Sequence, residues 1–410
     1  MNPLRFLLLL SLLSPLSPVM GDEHVPAFQY NHQHTGLTTN QGPATPALRW
    51  SFQTQGSLTA SPIIDPEGTI YLASTDNTLY AIHRDGKEKW RYEAEDAIFG
   101  TPALAPDQSI VFGDLAGKLY AIRPDGSEKF VYPLNWGKDR RIVTGPTIDP
   151  NGQIYLVSWN QELRALNAEG VTQWRTTLSD LLSSPPVLDP HGNLYIAEMD
   201  GSQCAIHQFK PHSATKQWTF RIPLDTSQPR LFSAPTIDPH RDTLYVGLCN
   251  NQTGGLLALD LLTQTEKWTV SLPKGVMASP ALGPEGTVYI GCLGGALEGS
   301  NDGMEKTEYG LLYAIDPDTH EILWTFQTEG YYIFSSPSVD GNGIIYMGDS
   351  DGILYALSSE GKELWRFTTQ ANIASSPVVG PDGTLYVTSY DSTLYAIQNP
   401  SAARDWHSLE

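Results

Sequence analysis

An all-β, eight-bladed β-propeller with four antiparallel strands per blade is the fold this sequence predicts, on three observations. One unit recurs eight times along the 410 residues. Its middle strands read as continuous apolar runs, as strands buried on both faces do. The eight units are followed by only seven outer strands, and a matching strand stands at the opposite end of the chain.

Each unit opens on a small residue followed by proline, at Pro62, Pro102, Pro146, Pro185, Pro235, Pro280, Pro337 and Pro377. Proline cannot donate to a ladder, so it suits an innermost strand with one edge on a central channel. A turn such as DPEG or GPDG follows, in which Pro presets φ and Gly supplies a positive φ. The second strand carries Tyr71, Tyr155, Tyr195, Tyr245, Tyr289, Tyr346 or Tyr386, with Val111 in the remaining copy. The third aligns Ala81, Ala121, Ala165, Ala205, Ala258, Ala314, Ala356 and Ala396. A residue kept that small fits a close approach of neighbouring blades. A DGK-like turn then leads to an outer strand marked by Trp90, Phe130, Trp174, Trp218, Trp268, Trp324 or Trp365.

No outer strand follows Ala396. Residues 47–54, ALRWSFQT, supply it with Trp50 in the repeat position, so the N-terminal strand completes the last blade and removes the open edges. The chain divides into a leader over 1–21, a lead-in over 22–46, a propeller over 47–398 and a tail over 399–410. In the leader Arg5 precedes the apolar run FLLLLSLLSPLSPV, and Val19-Met20-Gly21 offers a cleavage site. That pattern predicts a secretory signal peptide and an exported protein, periplasmic or extracellular, the alternative being an uncleaved anchor. The run is too short to span a bilayer stably and no later stretch is long enough. No cysteine near the cleavage site offers a place for a lipid.

Composition agrees with a turn-rich fold: Gly (36) and Pro (30) are too frequent for a helical protein. The net charge of −20 argues against nucleic acid or an anionic membrane surface as partner, since both repel an acidic chain. Cys204, Cys249 and Cys292 show neither CxxC nor haem-attachment spacing, which removes zinc-ribbon and c-type haem readings. They read as small buried hydrophobes, with a bridge between Cys249 and Cys292 left open.

The unit SPxxxPxGTLYVxSxDxxLYAIxxDGKexW resembles the repeat of pyrroloquinoline-quinone-type propellers. The lead-in FQYNHQHTGLT and the following GPATPALRWSF resemble the start of exported bacterial propellers of that type. The resemblance covers 28–398 and implies the fold. It also implies two families of function: quinoprotein dehydrogenases, and the propeller subunit of the outer-membrane β-barrel assembly machinery. The enzymes hold the quinone at the channel mouth beside a calcium ion bound by carboxylate and amide oxygens. Many carry two consecutive cysteines, which this chain lacks, and it is shorter than they are. The assembly subunit is typically a lipoprotein, and the missing lipidation cysteine counts against that role. Asp76, Asp200, Asp351 and Asp391 fall at one place after the second strand and read as turn residues rather than catalytic ones.

Departures from the repeat mark the candidate site, because a blade needs no extra residues to fold. The long loops emerge on one face, before blades 3 and 5 and within blades 5 and 6. In the loop before blade 3, Trp136, Lys138, Arg140 and Arg141 put three cations and an aromatic into six residues, and Trp159 joins them from blade 3. Such a set suits a flat anion held by stacking and paired hydrogen bonds; the alternative is a solvated loop with Trp136 covering a blade edge. Glu298, Asn301, Asp302, Glu305 and Glu308 in blade 6 offer oxygen ligands for calcium but match no known loop spacing, so no metal site is assigned. No catalytic residue is assigned either. The expected function is a non-catalytic binding or scaffold module for a protein or glycan on the long-loop face, with no cofactor. The alternatives are a quinone- and calcium-dependent dehydrogenase and an outer-membrane assembly factor.

Overall fold

The computed structural model describes residues 24–134, 139–178, 184–200, 203–222, 231–249, 254–295 and 309–400. They form eight four-stranded antiparallel sheets, seven of which run in chain order from the channel outward. In the eighth, strands Val378–Val379, Leu385–Thr388 and Thr393–Gln398 are completed by Ala47–Gln53. Trp50 lies opposite Ala396 there, the pairing that joins Trp90 to Ala81 and Trp365 to Ala356. Inner strands are two or three residues long, Ile63–Ile64 in blade 1 for instance, and blades pack face to face through buried apolar clusters shared between neighbours.

Two features of the repeat fasten one blade to the next. Trp90 of blade 1 donates its indole N–H to Pro124 O of blade 2 at 2.9 Å, and Trp324 of blade 6 donates to Ser359 O of blade 7 at 2.8 Å. Each indole lies over the glycine of the DGK-like turn that it reaches, Gly126 and Gly361. Around the channel, the residue before the proline forms a second seam. Ser376 N donates to Ser61 Oγ (2.9 Å), Ser61 N to Thr101 Oγ1 (3.2 Å), Ala234 N to Ser279 Oγ (2.9 Å) and Ser279 N to Ser336 Oγ (2.9 Å). The small residue of the motif thus carries a hydroxyl that binds the preceding blade.

Blade 4 departs from the alignment read from sequence. Tyr195 lies opposite Gln208, which in turn lies opposite Trp218, so Gln208 and not Ala205 fills the alanine position. Gln208 is tolerated because its Nε2 donates to Tyr195 OH at 2.8 Å. Likewise the inner strand Val187–Leu188 follows Pro186 directly, and Pro185 takes the small-residue position. Asp200 ends the strand Leu194–Asp200 instead of sitting in a turn.

The turn aspartates are tied to tyrosines. Asp76 accepts from Tyr80 OH (2.9 Å) and Asp391 from Tyr395 OH (2.8 Å). In blade 7 the acceptor is Asp349, two residues before Asp351, bonded to Tyr355 OH at 3.0 Å. Burial raises the Asp349 carboxyl. In blade 4 the same slot holds a His207–Glu198 pair, and in blade 3 Arg164 beside Glu162. Cys204, Cys249 and Cys292 are buried, and none is in a disulfide.

Candidate functional site

The lead-in circles one end of the channel. Val25 and Ile64 exchange two backbone bonds in blade 1, and Leu104 N of blade 2 donates to Pro26 O. His32 O, Gln33 O, Thr35 O and Gly36 O then accept from Leu188, Ile237, Leu282 and Val339, the inner strands of blades 4 to 7. Tyr30 OH accepts from Val379 N of blade 8 at 2.8 Å. One segment thereby bonds to the inner strands of seven blades, near the ends that lead into the short DPxG turns. Gln29, Tyr30 and His34 sit at positive φ (50°, 72° and 54°), a conformation that non-glycine residues hold only when their surroundings over-determine it. Here the surroundings do: Gln29 Nε2 donates to Pro280 O at 3.0 Å, and His34 Nδ1 lies 3.2 Å from Pro235 O. Burial pushes the His34 imidazole down to about 3. No repeat signal could show this, because the segment occurs once and its partners are backbone atoms.

Above this plug lies a cavity of about 170 Å³ whose lining includes Phe28, Ser61, Thr101, Phe232, Met277 and Phe334. Its described lining carries hydroxyls and apolar groups, with no carboxylate, amide, imidazole or ammonium group. Calcium takes about six to eight oxygen ligands, carboxylates usually among them. The described lining therefore does not fit a quinone–calcium pair. Elsewhere, too, the described residues bring together no group of three or more metal-ligating side chains.

In the loop before blade 3, Trp136 and Lys138 lie outside the described residues, as do the blade 6 oxygen-bearing residues Glu298, Asn301, Asp302, Glu305 and Glu308. Arg141 and Trp159 come together: the guanidinium carbon sits 4.0 Å from the ring centroid, and Trp159 N donates to Arg141 O at 3.0 Å. The sequence reading missed the third member. Asp139 accepts from Arg141 Nε at 2.8 Å and from its Nη2 at 2.5 Å, which holds the Asp139 carboxyl below its ordinary range. The DRR adjacency was the available signal. Arg140 is exposed and turns away to Leu134 O, 3.3 Å from its Nη1.

A single-chain, eight-bladed propeller whose channel is filled from one end by its own lead-in is the class that this geometry defines. The family model described as outer membrane protein assembly factor BamB matches residues 33–135, 133–291 and 308–410, and the chain belongs to that family. Among solved structures it is similar to BamB from Moraxella catarrhalis, at 20% identity and a TM-score of 0.68, over 86% of this chain and 100% of that one. A europium-containing methanol dehydrogenase matches at 15% identity and a TM-score of 0.71, over 90% and 89% of the two chains. Quinohemoprotein alcohol dehydrogenase from Comamonas testosteroni matches at 14% and 0.74, over 92% and 80%. At these identities the structural likeness speaks for the fold alone. No curated protein matches the sequence. No described helix is long and apolar enough to cross a membrane.

Proposed function

We propose that this chain is an exported scaffold of the outer-membrane assembly-factor kind, which holds a polypeptide on its loop-bearing face and performs no chemistry itself. The observation that carries the reading is one of extent. The family model takes in nearly the whole propeller, and the likeness to BamB from Moraxella catarrhalis uses all of that chain. The dehydrogenases share the propeller but extend beyond the matched part. The described lining of the cavity above the plug, hydroxyls and apolar groups, supports the same reading. The absent lipidation cysteine weighs less than the family match, because a lipid serves attachment and not the propeller's surface. A periplasmic or extracellular location fits the family, and a leader of the kind read from the sequence would direct the chain there.

Depleting the protein from the cells that encode it should lower the amount of folded, heat-modifiable outer-membrane β-barrels; unchanged amounts would overturn the reading. The quinoprotein alternative is favoured by fold likeness and has its own test. Titrating pure protein with quinone and calcium should give no saturable absorbance change and no dye reduction, and calcium-dependent turnover would establish the enzyme instead. The Arg141 and Trp159 pair, with Arg140, Trp136 and Lys138 beside it in sequence, is a contact point for a partner on this face. An Arg140→Ala/Arg141→Ala variant should weaken partner binding and flatten its salt dependence while folding normally.

A further inference from the structure

We propose that the loop face over blades 7, 8, 1 and 2 is a docking arc for a cationic polypeptide segment, with Tyr331, Tyr332, Tyr390 and Phe99 as its contact rings. The proposal rests on the scaffold reading above and adds the chemistry of the partner.

The four rings are 53%, 44%, 42% and 39% exposed. The other large apolar side chains exposed among the described residues, such as Leu48, Leu262 and Leu323, lie on outer strands or short turns. The aromatic ones all lie in loops of one face. The backbone is tied down at Tyr332, Tyr390 and Phe99 although the rings are not covered. Tyr332 N donates to Ser350 Oγ (3.2 Å) and its carbonyl accepts from Ser350 N (3.0 Å). Tyr390 N donates to Asn372 O (2.9 Å). The loop before blade 1 then bridges the remaining pair, Ser57 Oγ donating to Tyr390 O and Thr59 Oγ1 to Phe99 O. The rings thus form an arc on a pre-organised backbone, the arrangement that gives contact area at low entropic cost.

The charge around the arc selects the partner. Glu93, Glu95, Asp96, Glu329 and Asp351 are exposed along it. The bordering cations Lys118 and Arg366 are each tied to one of them, Glu95 and Glu329. The chain already stacks its own guanidinium groups on tyrosines, Arg91 over Tyr80 and Arg366 over Tyr355, both at 5.4 Å. Exposed tyrosines rimmed by carboxylates offer a lysine- or arginine-bearing segment the same contact. An anionic membrane surface would be repelled by the same carboxylates.

The test uses the full mature protein with three fluorescent probes: a peptide alternating lysine and valine, its glutamate counterpart and a neutral oligosaccharide. The basic peptide should bind with salt-sensitive affinity and the other two should not. A Tyr331→Ser/Tyr332→Ser/Tyr390→Ser variant should weaken it by about tenfold or more. Glu93→Gln/Asp96→Asn/Asp351→Asn should flatten the salt dependence, and it serves as the test if the tyrosine variant misfolds. Equal binding by folded variants and parent, or preference for the acidic peptide or the sugar, would overturn the arc. If cells carrying the tyrosine variant keep their folded barrels while depleted cells lose them, the scaffold reading stands and the arc falls.

Discussion

Trp50 donates its indole N–H to the backbone carbonyl of Arg84 at 2.9 Å, across the seam where blade 8 meets blade 1. Its ring lies over Gly86, where an added Cβ would come within 2.6 Å of it, at a φ of 85° that disfavours any side chain. This is the contact Trp90 and Trp324 make at ordinary blade junctions, and because Trp50 lies opposite Ala396 it ties the blade built from both chain ends to blade 1. The neighbouring seam is finished by the lead-in: Trp365 of blade 7 donates to Pro43 O at 3.0 Å, where a DGK-like turn would otherwise stand. Asn399 Oδ1 then accepts from Ala44 N (2.9 Å) and Thr45 N (3.1 Å).

Closure should therefore fail first at Trp50. Trp50→Ala removes a half-buried ring and an interblade bond, and about 3 kcal/mol of unfolding free energy is expected to go with it. Gly86→Ala should lower stability by about 1–2 kcal/mol through backbone strain and displacement of the same ring. Deleting 47–54 should expose the edge of Thr393–Gln398 and yield oligomers. Denaturation curves and light scattering check all three. A Trp50→Ala protein with the parent's midpoint would show that the seam is held elsewhere.

Blade number, strand order and the closing strand were legible because they rest on packing, which repeats the same residue types at the same places. Blade 4 was misaligned for the same reason. CAIH in its third strand mimics the YAIH of blade 1, but a longer hairpin moves the true alanine position to Gln208. The lead-in carries no period, and its bonds go to backbone atoms that any sequence would offer. At the candidate site, Arg141 and Trp159 were legible as a cation beside an aromatic. Asp139 was not, because a carboxylate two residues away reads as ordinary loop charge until geometry aims it.

The plug should make stability depend on pH through His34. Burial holds its imidazole at about 3 in the folded chain, against an ordinary value near 6.5 once unfolded. Between those values the unfolded state binds the extra proton. The stabilisation is therefore full above about pH 6.5 and shrinks as pH falls, by up to about 1.4 kcal/mol per pH unit. His34→Gln should lower stability at pH 7, since Gln must re-make the contact with Pro235 O, and should also flatten the slope between pH 6 and 4. Unfolding at a series of pH values measures both. An unchanged slope would mean that another group, such as His32, whose imidazole burial also lowers, carries the acid sensitivity.

Glu198 and His207 replace the tyrosine–aspartate pairing of other blades with two titratable side chains, both almost wholly removed from water. His207 Nε2 meets Glu198 Oε2, His207 Nδ1 lies 2.9 Å from Thr219 Oγ1, and Lys216 Nζ stands 3.6 Å from Glu198 Oε2. By register Ile196, Ala205 and Arg221 share that face of the sheet. His207→Leu leaves a buried carboxylate short of a partner and should cost about 3–5 kcal/mol, the range for breaking a buried pair from one side. Glu198→Leu should cost less, because Lys216 is a third exposed and its ammonium can turn to water. Removing both with Glu198→Leu/His207→Leu should cost less than the two single changes together, leaving a coupling of more than about 1 kcal/mol in a double-mutant cycle. Chemical denaturation of the parent and three variants at one pH supplies the cycle. Strict additivity would mean that Thr219 and Lys216 hold the two side chains separately, and that blade 4 gains nothing from their meeting.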